Sequence, residues 1–211
     1  CRHYFDSIII RTNADKINSS LLEADLVDRL LAGLCGNRAN FVWKLTDMFD
    51  TQLLTDAAEL LELCRRAKLK IATAESCTGG LIAGCLTEIA GSSDVVERGF
   101  VTYSNEAKNE MLGVPNMLIN LNGAVSEKVA IAMAEGALAH SLADISIAVT
   151  GVAGPGGGSK DKPVGLVHLA CAGRGRRTVS NRQVFPGDRA DIRDATVQTA
   201  FTMLRRAATR G

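Results

Sequence analysis

Three apolar, extended-type runs in this chain each end in a turn rich in glycine or hydroxyl side chains. Residues 70–74 (KIATA) lead into Glu75-Ser76-Cys77-Thr78-Gly79-Gly80, residues 99–103 (GFVTY) into Ser104-Asn105-Glu106, and residues 144–150 (DISIAVT) into the loop 151–158 (GVAGPGGG). The first two turns open into helical patterns, at residues 81–90 and in a short segment carrying Lys108, and an Ala-rich helix is predicted over 126–141. Strands that alternate with helices imply parallel neighbours joined by crossovers. Two further strands, 165–172 and 178–185, flank Gly173-Arg174-Gly175 and read as a hairpin. The expected fold is therefore α/β, a three-layer α/β/α sandwich with a mixed central sheet. In open sheets of this kind ligands bind beyond the carboxyl ends of the strands, where all three turns fall.

The flanks are less even. Residues 51–64 place Leu53, Leu54, Ala57, Leu60, Leu61 and Cys64 on one helical face before the basic pair Arg65 and Arg66, and Asp188 caps a last helix reaching to about Ala208. Residues 1–47 have a different texture: they hold the single tryptophan, Trp43, and a leucine pattern over 15–34 with helical spacing. Met48 stands just before a well-formed helix start. Residues 1–47 are therefore expected to be an appendage to a domain of residues 48–211.

Charge and cysteine usage remove several classes of function. Twenty-four Lys and Arg against twenty-three Asp and Glu give a net charge of +1, which provides no bulk electrostatic drive toward nucleic acid or an anionic membrane. No run approaches about 18 consecutive apolar residues, and the start of the chain lacks the charged and apolar regions of a secretory leader, so a cytoplasmic location is expected. The six cysteines form no CxxC, and the three histidines form no HExxH, so no metal is expected from spacing.

Within the turns, Ser76 occupies a strand-to-helix junction that exposes a hydroxyl beside helix amides able to hold an oxyanion. A serine nucleophile needs a base, and no histidine lies in any of the three turns. Lys108 is the available candidate, because burial lowers a lysine's pKa toward a neutral, proton-accepting form. Cys77 is a rival nucleophile and Glu75 a candidate acid/base, while Ser93 and Tyr103 are candidate relays or substrate contacts. Each has a plain structural alternative: turn residue, buried thiol or solvated helix charge. Gly79, Gly80 and the loop 151–158 offer backbone N–H groups to an anion, yet no Walker A or GxGxxG is spelled. Residues 174–210 carry nine Arg against three Asp, which reads mostly as a solvated helix face; Arg189, at a helix start, is the one placed for a phosphate.

Taken together, the motifs AESCTGG (74–80), AGSSDVVERGFVTYSNEAK (90–108), NGAVSE (122–127), TGVAGPGGG (150–158), KPVG (162–165) and FPGDR (185–189) resemble those of the CinA C-terminal domain family, the PncC-type nicotinamide-nucleotide amidohydrolases. The resemblance implies an α/β/α fold that hydrolyses the carboxamide of nicotinamide mononucleotide to nicotinic acid mononucleotide and ammonia, with a Ser/Lys mechanism and neither metal nor cofactor. It implies Ser76 as nucleophile, Ser93 as relay and Lys108 as base. Tyr103, Thr150 and Arg189 match substrate-contacting positions, and backbone groups of Thr78, Gly79, Gly80, Gly151 and Gly154 are expected to complete the substrate site. The family also occurs fused behind a larger domain similar to molybdopterin-binding proteins, which 47 residues are too few to supply. Expected partners are the mononucleotide and further copies of the same chain in a homo-oligomer, with neither nucleic acid nor membrane. A non-catalytic nucleotide-binding or assembly module is the alternative, and ammonia release discriminates between the two.

Overall fold

The computed structural model describes residues 49–209. In chain order the elements are α1 (Thr51–Arg66), β1 (Ile71–Glu75), α2 (Leu81–Thr87), β2 (Val96–Val101), α3 (Asn105–Leu112), α4 (Asn116–Asn122), α5 (Glu127–Ala139), β3 (Ile145–Gly151), β4 (Leu166–Gly173), β5 (Val179–Val184) and α6 (Arg189–Thr209). The strands form one sheet in the order β2-β1-β3-β4-β5. β1 runs parallel to β2 and β3, whereas β4 is antiparallel to β3 and β5. The sheet is mixed, as expected, and the β4–β5 hairpin is present.

Side chains alternate across a strand, and here they sort by size. Ile71, Ile145, Ile147, Val149, Val167 and Leu169 pack with α1, α2 and α6 in one core cluster. Ala72, Ala74, Ala148, Ala170 and Ala172 face α3, α4 and α5 in the other. The methyl-only face lets the Ala-rich α5 approach closely. Gly136 on α5 completes that packing: a β carbon there would stand 2.0 Å from the Leu112 carbonyl oxygen at the end of α3. α3, the helix that carries Lys108, is thereby seated on α5.

Apart from shifts of one or two residues at element ends, three features differ from the sequence expectation. β2 begins at Val96 rather than Gly99, because its first half lies on the sheet edge and is not apolar. α4 stands where the sequence pattern predicts no helix; it is a short helix after Pro115, whose fixed φ suits a helix start. α2 ends at Thr87 rather than continuing to Ala90. The helix expected over 15–34 and the proposed appendage lie outside the described residues. Among the described residues no helix is long and apolar enough to cross a membrane.

Candidate active site at the carboxyl edge of the sheet

β1, β2 and β3 are neighbours, so the turns that follow them meet. The Ser76 N–H donates to Val149 O of β3 at 3.1 Å, and the Thr102 N–H, just past β2, donates to Glu75 O at 2.7 Å. Ser76 thus leaves β1 locked between two strand ends. Its turn closes through the Gly79 N–H, which donates to Ser76 O at 3.0 Å, with Gly79 and Gly80 at φ of +62° and +100°, a region open to glycine. Below the turn lies the wholly buried Glu75. Its carboxylate accepts from the N–H groups of Gly80, Ile82 and Ala83 at 3.0, 3.0 and 2.8 Å, which fills the N-terminus of α2 with negative charge. The expectation of Glu75 as an acid/base is corrected: its oxygens are engaged in holding the turn.

Lys108 approaches from α3, whose N-terminus is capped by the Ser104 hydroxyl accepting from the Ala107 N–H at 3.0 Å. The side chain is 1% exposed. Its Nζ lies 3.1 Å from Ser76 Oγ, 2.8 Å from Thr102 O and 3.4 Å from Ser104 O. Burial pushes the amine below the ordinary lysine range, and the neighbouring Cys77 and Glu106 oppose that only in part. The three contacts suit either protonation state. An ammonium donates to all three oxygens, whereas a neutral amine donates two N–H groups to the carbonyls and turns its lone pair to the Ser76 hydroxyl. Cys77 points the other way, into the core shared by α1, α2 and α6. Burial pushes its thiol up to about 11, so it stays protonated near neutrality and is a poor nucleophile.

The remaining expected residues divide. Arg189 opens α6, and its guanidinium donates to Gly154 O at 2.9 Å and to the exposed Tyr103 hydroxyl at 3.1 Å, tying together the loops that follow β3 and β2. A cavity of about 670 Å³ lies here, lined by Ala153, Pro155, Val164, Asp188, Arg189 and Arg193 among others. Thr150 is buried and donates to Ala124 O at 2.9 Å. Gly151 is a close-packing glycine, since a β carbon would stand 2.7 Å from Leu166 O. Thr78 is wholly buried. The N–H groups of Gly79 and Gly80 already have acceptors within the turn, so they are not the free anion cradle expected of them. Those of Cys77 and Thr78 meet no acceptor among the described residues.

Ser93 is not part of this constellation. It is exposed in a short 3-10 turn, Ser92–Asp94, that precedes β2, and the Ile71 N–H donates to the adjacent Val95 O. Ser93 therefore sits beside the first residue of β1 while Ser76 follows the last, with five strand residues at about 3.3 Å each between them. A relay role for Ser93 is corrected on that ground. A second cavity, about 210 Å³ between the β4–β5 hairpin and the end of α6, contains none of the expected residues.

Arg193, which the sequence pattern does not single out, joins the site. Its Nη2 donates to Thr78 O at 2.8 Å, and its Nε is buried without a partner. The signal available in the sequence was its spacing, four residues past Arg189 on the same helical face.

Residues 54–208 match the family described as the CinA C-terminal domain. The chain belongs to that family. A CinA-like protein of Mycobacterium marinum is 45% identical over 188 residues, covering 88% of this chain and 44% of its own length. That match is longer than the chain from Met48 onward and so includes residues before it. A CinA-like protein of Mycolicibacterium vanbaalenii is 53% identical over 154 residues, covering 73% of this chain and 35% of its own. The chain spans less than half the length of these curated CinA relatives. Among solved structures, the competence/damage inducible protein CihA from Agrobacterium tumefaciens superimposes with a TM-score of 0.75 at 50% identity, over 78% of this chain and 99% of that one. The CinA superfamily protein from Escherichia coli gives a TM-score of 0.70 at 34% identity, over 76% of this chain and 94% of that one.

Proposed function

We propose that the chain is a Ser/Lys amidohydrolase that cleaves the carboxamide of nicotinamide mononucleotide, yielding nicotinic acid mononucleotide and ammonia. The observation that carries this function is the Lys108 Nζ 3.1 Å from Ser76 Oγ in a site that strips the amine of water. An amide is a weak electrophile, so Ser76 has to lose its proton as it attacks, and a buried neutral lysine is a competent acceptor. The hydroxyl proton passes to Nζ, the Ser76 oxygen bonds to the carboxamide carbon, and the carbonyl electron pair moves onto oxygen. The Cys77 N–H, directly after the nucleophile and without an acceptor among the described residues, is the donor for that oxyanion.

The protonated Lys108, hydrogen-bonded to the Thr102 and Ser104 carbonyls, then delivers its proton to the leaving nitrogen, and the C–N bond breaks to release ammonia. Water repeats the sequence on the acyl-serine, with Lys108 again as base. Arg189 and the cavity beside it are suited to the 5′-phosphate, whose binding energy would hold the carboxamide against Ser76. The test is Ser76→Ala. This variant is expected to bind the mononucleotide in calorimetry with near wild-type affinity while losing turnover by about 10³-fold or more. Retained turnover would contradict the serine mechanism.

A further inference from the structure

The Ser76–Lys108 chemistry leaves one partly buried cation at this edge of the sheet without a task. Arg193 stands one helical turn beyond Arg189 on α6, so both side chains leave the helix on the same face. They then diverge. Arg189 is exposed and reaches to Tyr103 and Gly154, whereas Arg193 turns to the nucleophile turn, where Nη2 donates to Thr78 O at 2.8 Å. A β carbon added to Gly79 would stand 3.7 Å from the same nitrogen, so the guanidinium lies against the turn itself. Two polar atoms of this pair, Arg193 Nε and Thr78 Oγ1, are buried with no partner among the described residues. No carboxylate among the described residues forms an ion pair with Arg193; Asp194, the next residue, is exposed.

Arg193 is half-buried and lines the cavity beside Arg189, so holding its guanidinium against a single neutral carbonyl costs part of its solvation, which an unbranched apolar side chain of comparable size would not. The charge therefore calls for a purpose beyond packing. The turn it grips is held from the other side by Glu75, which binds the Gly80, Ile82 and Ala83 amides. Between these two anchors lie the N–H groups of Cys77 and Thr78, the turn's donors without an acceptor among the described residues. Of the two residues only Cys77 keeps any exposed surface, and a cation bonded to the same turn favours negative charge arriving at its amide.

We propose that Arg193 is a positioning residue that fixes the Ser76–Gly79 turn, so that the Cys77 amide, directly after the nucleophile, meets the oxyanion formed when Ser76 attacks. This role rests on the serine-hydrolase function proposed above, but not on which amide is the substrate. In the step concerned, the Ser76 oxygen bonds to the carbonyl carbon, its proton goes to Lys108, and the carbonyl π pair becomes a lone pair on the oxygen facing the Cys77 amide.

The experiment compares Arg193→Met and Arg193→Lys with wild type, in the full chain, by two readouts. One is the rate at which a fluorophosphonate labels Ser76, followed by mass spectrometry: the Ser76 oxygen bonds to phosphorus, its proton goes to Lys108, fluoride leaves, and the phosphoryl oxygen requires the same donor. The other is kcat and KM for ammonia release from nicotinamide mononucleotide. Arg193→Met is expected to lose about 10- to 100-fold in both labelling rate and kcat, with KM changed by less than about threefold. Arg193→Lys, which keeps the charge and one donor, is expected to recover about tenfold of that loss. Wild-type rates in Arg193→Met would overturn the proposal. So would a loss that vanishes once rates are scaled to the folded fraction, or a raised KM with kcat intact, which would mark a substrate contact. Wild type that labels at Ser76 yet releases no ammonia overturns the substrate and leaves Arg193 to be judged on labelling. Wild type that does not label overturns both.

Discussion

Lys108 is a buried amine among three oxygen atoms, with no carboxylate among the described residues paired to it, and its chemistry follows from that environment. Desolvation penalises the charged form, so its pKa is lowered and the neutral base gains population as pH rises. kcat/KM is therefore expected to climb with pH, with a midpoint below the ordinary lysine value of about 10.4, and Lys108→Ala is expected to lose that limb with about 10²-fold or more of the rate. A pH–rate profile from about pH 6 to pH 10 reads this directly, and an unchanged profile in Lys108→Ala would remove Lys108 as base. Stability carries the same sign. The folded chain binds this proton less tightly than the unfolded chain, so the residue's contribution to stability rises with pH between its lowered folded pKa and the ordinary lysine value.

Ser76 and Lys108 were legible as residue types in the right turns, because a hydroxyl after a strand and a lysine one helix away are local features. Ser93 was misplaced by the same logic. Its motif precedes a strand rather than following one, and only the parallel β1–β2 register reveals that it lies at the opposite end. Arg193 was hidden among a run of arginines whose usual fate is solvent, and its contact with Thr78 spans 115 positions in the chain.

The element that decides the geometry is the β1–turn–α2 unit. A carboxylate at the end of β1 points down into the large-residue face, caps α2 and leaves the next residue, Ser76, on the Lys108 face by strand alternation. Glu75→Gln replaces one acceptor oxygen by a donor in front of backbone N–H groups. It is expected to cost about 2–3 kcal/mol, lowering Tm by roughly 5–10 °C. A thermal melt checks this, and an unchanged Tm would show that the cap is dispensable. Strand and helix order was readable because the central strands are apolar and each is followed by turn chemistry. Edge elements were less readable. β2 is half exposed, with Glu97 and Arg98 paired to each other along its rim, so its first residues carry little hydrophobic pattern. α4 is seven residues long and follows a proline, too short for a periodicity to stand out.

At the scale of the whole molecule the site is a convergence of distant segments. Ser76 follows β1, Lys108 lies on α3, Thr150 on β3 and Arg189 opens α6, and the two cores that flank the sheet pack these elements together. Both cores are built from residues between Phe49 and Ala208. A chain beginning at Met48 is therefore expected to fold and to retain turnover within about threefold, checked by circular dichroism and ammonia release together. A folded but inactive shorter chain would place part of the machinery before Met48. With a net charge near zero there is no global field to draw in the anionic mononucleotide proposed as substrate, so in the proposed function that task falls to Arg189 beside its cavity.

The chemistry proposed for this edge of the sheet is cleavage of a carboxamide C–N bond. The most direct measurement incubates the full chain with nicotinamide mononucleotide and quantifies ammonia, nicotinic acid mononucleotide and free nicotinamide in the same reaction. Equal yields of ammonia and nicotinic acid mononucleotide, with no nicotinamide, are the expected result. Nicotinamide in place of ammonia, or a folded chain that binds the mononucleotide and returns it intact, would contradict it.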